Sequence, residues 1–180
     1  MNTIPSGYTM RRASAEDFSA IRHFYNQLID DISQLPHHPM WDKEGHPSAA
    51  YLQNAIDAQE LWVLESTEEI AGAVIVNQAA NEGYRSVPWK IQAAEGDYSI
   101  VHAFGVSRRH KGKGLGSAML RFIISNLRAA GQKALRLDLI DLNKPAEKFY
   151  IGLGFYKCCE IRLYYPEVGW QLFHMYELAL

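Results

Sequence analysis

At 180 residues the chain holds enough material for one domain with a proper core, read as 1–180, and too little for two ordinary ones. With 48% apolar and 21% charged residues it is a globular composition, which excludes a disordered or fibrous chain. A net charge of −2 excludes a surface built as a whole to seek nucleic acid or anionic membrane, so any anion binding must come from local clustering.

The opening "YTMRRA" suits a short strand. It runs into "SAEDFSAIRHFYNQLIDDI", where Ser14 can cap and Phe18, Ile21, Phe24, Tyr25, Leu28 and Ile32 follow helical spacing. "SQLPHHPMWDKEGHP" is broken by prolines and a glycine into a loop, and "SAAYLQNAIDA" reads as a second short helix. "LWVLES" and "EIAGAVIVNQ" form a hairpin, and "YRSVPW" and "DYSIVHAFGV" add strand material. From Leu115 to about Ala130 a helix carries Leu115, Met119, Phe122, Ile123 and Leu127 on one stripe, with Gly131 as its stop. "KALRLDLI" is a strand, "KPAEKFYIGL" a helix, and "YKCCEIRLYY" and "QLFHMYELAL" two closing strands. Cys158 and Cys159 are neighbours in a strand, where they would point to opposite faces and stay reduced. The order predicts an α/β fold of the α+β type: a mixed, mostly antiparallel sheet of six to seven strands flanked by about four helices.

The stretch "VSRRHKGKGLGSAML" places Arg108, Arg109, Lys111 and Lys113 and three alternating glycines just ahead of a helix. Strand, glycine-rich loop and helix N-terminus together bind phosphate, because unpaired amides of the first turn point at the ligand. The amides of Gly112, Lys113, Gly114, Leu115, Gly116 and Ser117 would line a nest for a diphosphate. A P-loop is excluded because Gly114 follows Lys113, and a dinucleotide fingerprint because the spacing is G-x-G-x-G. A basic surface turn remains the plain alternative.

Downstream, "DLNKPAEKFYIGLGF" offers Asn143 as a helix N-cap, Pro145 in the first turn and Gly154 at the C-terminus. Arg109-x-x-Gly112-x-Gly114 followed by N-x-x-A-x-x-F-Y-x-x-x-G-F resembles the two signature segments of the GNAT superfamily of N-acetyltransferases. Gly152 departs from the charged residue relatives often carry there, which puts helix rigidity in question. The resemblance covers residues 98 to 156 closely and the N-terminal half by element order only. It implies a GNAT-like acyl-CoA N-acyltransferase fold and acetyl-coenzyme A as co-substrate, with no metal. It further implies that Arg109, Lys111 and the loop amides hold the diphosphate, that Asn143 contacts the coenzyme, and that Tyr150 lies by the thioester sulfur. Phe104, Gly105 and Val106 would form the backbone platform for the acetyl group and pantetheine arm, where the parting of two strands frees an N–H for the thioester oxygen.

Acetyl transfer to an amine requires removal of a proton from an ammonium of reference pKa about 10, donors for an oxyanion, and a proton donor for a thiolate of reference pKa about 8.5. Tyr150 suits the last, unless it is simply a core tyrosine. For the base, alternation puts Ile100, His102, Phe104 and Val106 on one face, and an imidazole of reference pKa about 6.5 suits proton removal at neutral pH. This strand is similar to that of serotonin-type arylalkylamine acetyltransferases, which carry a catalytic histidine at the matching place. A core histidine, or a base supplied by a glutamate or ordered water, remains open. The resemblance further implies a roof over the acceptor site, where Trp41, Asp42 and Glu44, following Asp30 and Asp31, would suit an amine, with Trp89 and Tyr84 as another wall. A solvated loop with one anchoring tryptophan is the plain alternative. His37, His38 and His46 lack the spacing of a metal site.

The leading expectation is transfer of an acetyl group from acetyl-coenzyme A to a primary amine of a small molecule, by direct attack in a ternary complex. A silent coenzyme A sensor of the same fold, or an enzyme acting on protein or peptide amines, is the alternative. Cations confined to residues 108–113 count against nucleic acid as a partner, and no stretch approaches the roughly 20 apolar residues of a membrane helix. The first residues carry no apolar run of a signal peptide, so the location expected is cytoplasmic. The closing strands are apolar enough for a homodimer edge or for core.

Overall fold

β-branched runs separated by turn residues produce seven strands: β1 (Thr9–Arg12), β2 (Leu61–Glu65), β3 (Ile70–Asn77), β4 (Tyr98–Val106), β5 (Ala134–Ile140), β6 (Tyr156–Tyr165) and β7 (Gly169–Ala179). The computed structural model describes residues 4–180. The strands form one sheet in the order β1-β2-β3-β4-β5-β7-β6, antiparallel at every step except β4–β5. Four helices cover it: α1 (Phe18–Ser33), α2 (Ala49–Asp57), α3 (Leu115–Ala129) and α4 (Lys144–Gly152). Among the described residues no helix is long and apolar enough to cross a membrane.

The apolar stripes decide which face each helix covers. Ile21, Phe24, Tyr25 and Leu28 of α1 pack with Leu52 and Ile56 of α2 on Ala73, Ile75 and Ala103. On the other face Leu115, Met119 and Ile123 of α3 and Tyr150 of α4 pack on Val74, Val76 and Val101. Fully burying one such side chain stabilises by about 1.5–3 kcal/mol, so the two layers fix the sheet between them. β3 is consequently buried from Ile70 to Val76. α1 is entered through a short 3-10 turn at Ala15–Asp17, where the Asp17 carboxylate accepts from the Ser14 amide at 2.7 Å.

Two local expectations fail, each for a visible reason. "YRSVPW" is not a strand: Glu82–Ser86 is a 3-10 turn whose start is tied by the Asn81 carboxamide oxygen accepting from the Gly83 amide at 3.0 Å. Beyond Pro88, which has no N–H to give a ladder, the amides of Lys90 and Ile91 donate to the Glu177 carboxylate at 2.9 and 3.0 Å. Glu177 itself is fully buried against Arg136 at 3.0 Å. The two cysteines do not face opposite ways either. The β6–β7 register passes from Lys157 opposite Tyr176 to Cys159 opposite Met175, so Cys158 is an extra residue and both thiols pack on the same cluster. They are free thiols, and burial pushes Cys158 up to about 11.

Candidate active site

β4 and β5 pair only over Tyr98–Ile100 against Ala134–Arg136, and then part. Past Ile100 the β5-facing edge of β4 has no strand partner, and a cavity of about 530 Å³ occupies the gap. Its walls include β4 from Val101 to Val106, β5 from Leu137 to Ile140, the first turns of α3 and α4, and the loop after α1. One passage therefore reaches both faces of the sheet.

A bulge in β4 divides the roles of its side chains. Ala73 pairs with Gly105 but Ile75 with His102, so Ala103 and Phe104 together face Val74, and Ala103 takes φ of 46°. Alternation is broken there, so His102 and Phe104 do not share a face as the sequence pattern predicts. His102 lies on the α1 side with Ala103, while Phe104 stacks on Phe149 of α4 with ring centroids 5.6 Å apart. The left-handed backbone at Ala103 costs roughly 1–2 kcal/mol. The buried Tyr25 hydroxyl, donating to the Ala103 carbonyl at 2.6 Å, offsets it and holds the bulge. Gly105 is required by packing: a Cβ there would lie 2.3 Å from the Leu28 side chain.

On the α3 side, the loop is built as a cradle. Gly112 and Gly114 adopt φ of 83° and 69°, and the first backbone bond of the helix is Ala118 to the Gly114 carbonyl at 3.1 Å. Among the described residues the amides of 112–117 meet no backbone acceptor, so they are open to an anion, reinforced by the α3 dipole. The tertiary structure brings an acid to the basic run that the sequence alone does not show. Glu69, from the β2–β3 turn, accepts from Arg109 at 2.9 Å and contacts His110 Nε2 at 2.9 Å. Lys113 donates to the Tyr8 hydroxyl, which lies 2.8 Å from His110 Nδ1. Arg109 is largely exposed, so its pair with Glu69 is a weak tether. Arg108 and Lys111 make no ion pair among the described residues.

α4 sits where the cradle meets the gap. Asn143 caps it, its side-chain oxygen accepting from the Ala146 amide at 3.4 Å. Gly116 is confined between two rings, since a Cβ there would lie 3.4 Å from Phe149 and 3.5 Å from Phe104. Tyr150 lines the cavity, buried among Phe104, Phe149 and Phe155, and that burial pushes its phenol well above the ordinary range, with Asp138 adding to the rise.

The α1 side of the passage holds polar groups. His102 is half-buried, and its Nε2, which is inaccessible, has no partner among the described residues. Burial, then the neighbouring His46, hold its imidazole down to about 4 against the opposing pull of Glu60 and the Ala79 backbone. Burial lowers His46 as well. Across the gap, Asp138 of β5 accepts from the hydroxyls of Tyr84 at 2.9 Å and Tyr165 at 2.8 Å, and burial raises its pKa. Sequence reading missed Asp138, and the one signal was a carboxylate inside the apolar strand "ALRLDLI". Trp41 lines the cavity as expected, edge-on to Tyr25 and His46, each 6.0 Å away between centroids. Trp89 does not line it. Its indole donates to the Tyr84 carbonyl at 3.0 Å and lies under Arg136, 4.4 Å from the ring centre. Two of the expected carboxylates are occupied elsewhere: Asp42 of the loop accepts from the Gly45 amide at 2.6 Å, and Asp30 of α1 pairs with Lys43 at 2.6 Å. The carboxylates that do line the cavity are Asp138 and Glu167, and His37, His38 and His46 line it with them.

Residues 23–155, which include the cradle, the parted strands and α4, match the family described as Acetyltransferase (GNAT) family. The chain belongs to the GNAT acetyltransferase family. Among curated relatives it is 26% identical over 111 residues to N-acetyltransferase 8B of Rattus norvegicus, covering 62% of this chain and 44% of the relative. It is also 26% identical over 104 residues to the N-acetyltransferase YesJ of Bacillus subtilis, covering 58% of this chain and 57% of the relative. The chain thus spans about half the length of the curated relatives it matches. In structure it is similar to a GNAT-family acetyltransferase from Streptococcus agalactiae, with a TM-score of 0.79 at 17% identity, covering 97% of this chain and 96% of that one. It is similar also to yncA of Salmonella typhimurium, solved with its cofactor acetyl-CoA, with a TM-score of 0.67 at 20% identity, covering 97% and 95%. These likenesses establish the GNAT fold, including the seven-stranded mixed sheet and its four helices.

Proposed function

We propose that this GNAT domain transfers the acetyl group of acetyl-coenzyme A to the primary amine of a small molecule, by direct attack in a ternary complex. The observation that carries the reading is one cavity through the β4–β5 gap, which reaches Gly116 at the edge of the cradle and Tyr150 on one face and His102 and Asp138 on the other. The residues present fit the coenzyme: open amides at 112–117 and the free cations Arg108 and Lys111 suit a diphosphate, and the apolar gap beside Phe104, Gly116 and Phe149 suits a narrow arm.

Acetyl-coenzyme A supplies an activated acyl carbon. The chain supplies position and proton handling. The unpartnered edge of β4 offers backbone N–H to the thioester oxygen. The His102 imidazole is neutral at neutral pH, and its unpartnered Nε2 is the place for the proton the amine must lose. Against an amine keeping its solution pKa of about 10, a base near 4 would face a gap of roughly 8 kcal/mol. Desolvation inside the cavity favours the neutral amine and narrows that gap, while a carboxylate beside the ammonium works against it. As the carbon–nitrogen bond forms and the carbon–sulfur bond breaks, Tyr150 remains protonated and presents its O–H to the departing sulfur.

Calorimetric titration with acetyl-coenzyme A, followed by thiol release across an amine panel and mass spectrometry of the products, tests the reading. The expected outcome is binding, thiol release and a product heavier by one acetyl group. Binding with no release over free amines, peptides and proteins would leave a coenzyme sensor.

A further inference from the structure

The acceptor side of the cavity presents acids: burial raises the Asp138 pKa, and the Tyr165 and Tyr84 hydroxyls donating to it pull back toward the carboxylate. Asp138 and Glu167 line it, and among the described residues no lysine or arginine does. The nearest strand cation in sequence, Arg136, is committed to Glu177 and sandwiched between Trp89 and Tyr98, with centroid distances of 4.4 and 4.2 Å. Both tyrosine hydroxyls that hold Asp138 reach its Oδ2. Oδ1 therefore has no protein donor among the described residues and is available to the cavity. Ile32, Leu35, Met40, Trp41 and Phe173 make up much of the rest of the wall.

These features sort acceptors by charge. An ammonium entering this chamber exchanges water for a fixed carboxylate, and its stem meets apolar side chains. A carboxylate or phosphate beside the amine finds no fixed cation, and burying it unpaired is costly. His102 and His46, the imidazoles that burial keeps neutral, do not supply one.

We infer that the acceptor is a free amine on an apolar stem, its ammonium met by Asp138 Oδ1, with no anionic group near the nitrogen. This rests on the acetyl-transfer reading above and adds the substrate class. The same chemistry is offered by a peptide N-terminus, where the neighbouring carboxyl has become an amide, so the test separates the two sources.

The experiment compares matched acceptors with the intact protein and acetyl-coenzyme A: 3-methylbutylamine with leucine and leucinamide, isobutylamine with valine and valinamide, and 2-phenylethylamine with phenylalanine and its amide. The expected result is a kcat/KM at least tenfold higher for the amine than for its amino acid. Amino acids used as well as the amines overturn the inference and leave the transferase reading standing. Amides used tenfold better than the free amines overturn the free-amine source in favour of peptide N-termini. No transfer to any of them or to the wider panel, with the coenzyme bound, removes the transferase reading and the inference with it. Asp138→Asn is expected to lower kcat/KM for the amine at least tenfold while leaving the coenzyme Kd unchanged, and an unchanged kcat/KM in that variant removes Asp138 as the anchor. Because the matched series is run on the unaltered protein, it decides the substrate class even where the variant does not fold.

Discussion

The two ends of the cavity are made in different ways. The end proposed for the coenzyme is built from one short run of chain, where residues 107–117 leave a strand, turn through two left-handed glycines and enter α3, so backbone amides would do the binding. The acceptor end is built from side chains that are far apart in sequence: Trp41 and His46 from the loop after α1, His102 from β4, Asp138 from β5, and Tyr165 and Glu167 from the last hairpin. A site of local backbone geometry tolerates changes in side chain and fails when a turn cannot form. A site of converging side chains keeps its shape only while a bulge and a few buried hydrogen bonds hold. The difference teaches where each end is vulnerable.

Substitutions that strike one end alone should separate them. The largest effect is expected from Gly114→Val. No neighbour lies within 4 Å of a Cβ there, so the damage comes from φ of 69°, which a β-branched residue resists, and from the methyl groups set before the open amides. Coenzyme affinity should fall at least 100-fold with little change in melting temperature, and calorimetry showing native affinity would sink the cradle.

Next is the acid sensitivity of the acceptor end. His102 is held down to about 4 from a reference of 6.5, so between those values the unfolded chain binds a proton that the folded one does not. Its contribution is present above pH 6.5 and is lost as pH falls toward 4, amounting to about 3 kcal/mol over that window. Chemical denaturation of the wild type and His102→Gln across this range should show the variant losing less stability by that amount; parallel curves would mean His102 titrates as it does in water.

A smaller, kinetic effect is expected of Tyr150→Phe, which keeps the ring packing and removes the hydroxyl. Turnover should fall by roughly 10- to 100-fold with coenzyme affinity within a factor of three, of the order one hydrogen bond to a charged group contributes. Equal turnover would take Tyr150 out of the reaction. The smallest is Tyr25→Phe, which leaves the Ala103 carbonyl without its donor at the bulge. A loss of about 1–3 kcal/mol is expected, read by denaturant unfolding, with acceptor kinetics disturbed more than coenzyme binding.

The same contrast governs what could be read before folding was considered. The element order, the stripes of α1 and α3 and the cap at Asn143 were legible because periodicity and capping are local. So was the nest at 112–117, because glycine spacing and a helix start lie within one run. Legibility ended where distant chain met. The bulge at Ala103, which sends His102 and Phe104 to opposite faces, depends on Tyr25 reaching across from α1. Glu69 answering Arg109, the withdrawal of Trp89 beneath Arg136, and Asp138 gripped by Tyr84 and Tyr165 all join residues more than 25 positions apart.

The amino-acid sequence by itself determined that strand, loop and helix follow one another at residues 98–129 with an amide cradle between them, because those conformations are set by neighbouring residues. Only the tertiary structure decided which carboxylate, imidazole and indole face the acceptor. The contributing strands pair, bulge and part under the packing of both helical layers, and short-range chemistry does not fix that outcome.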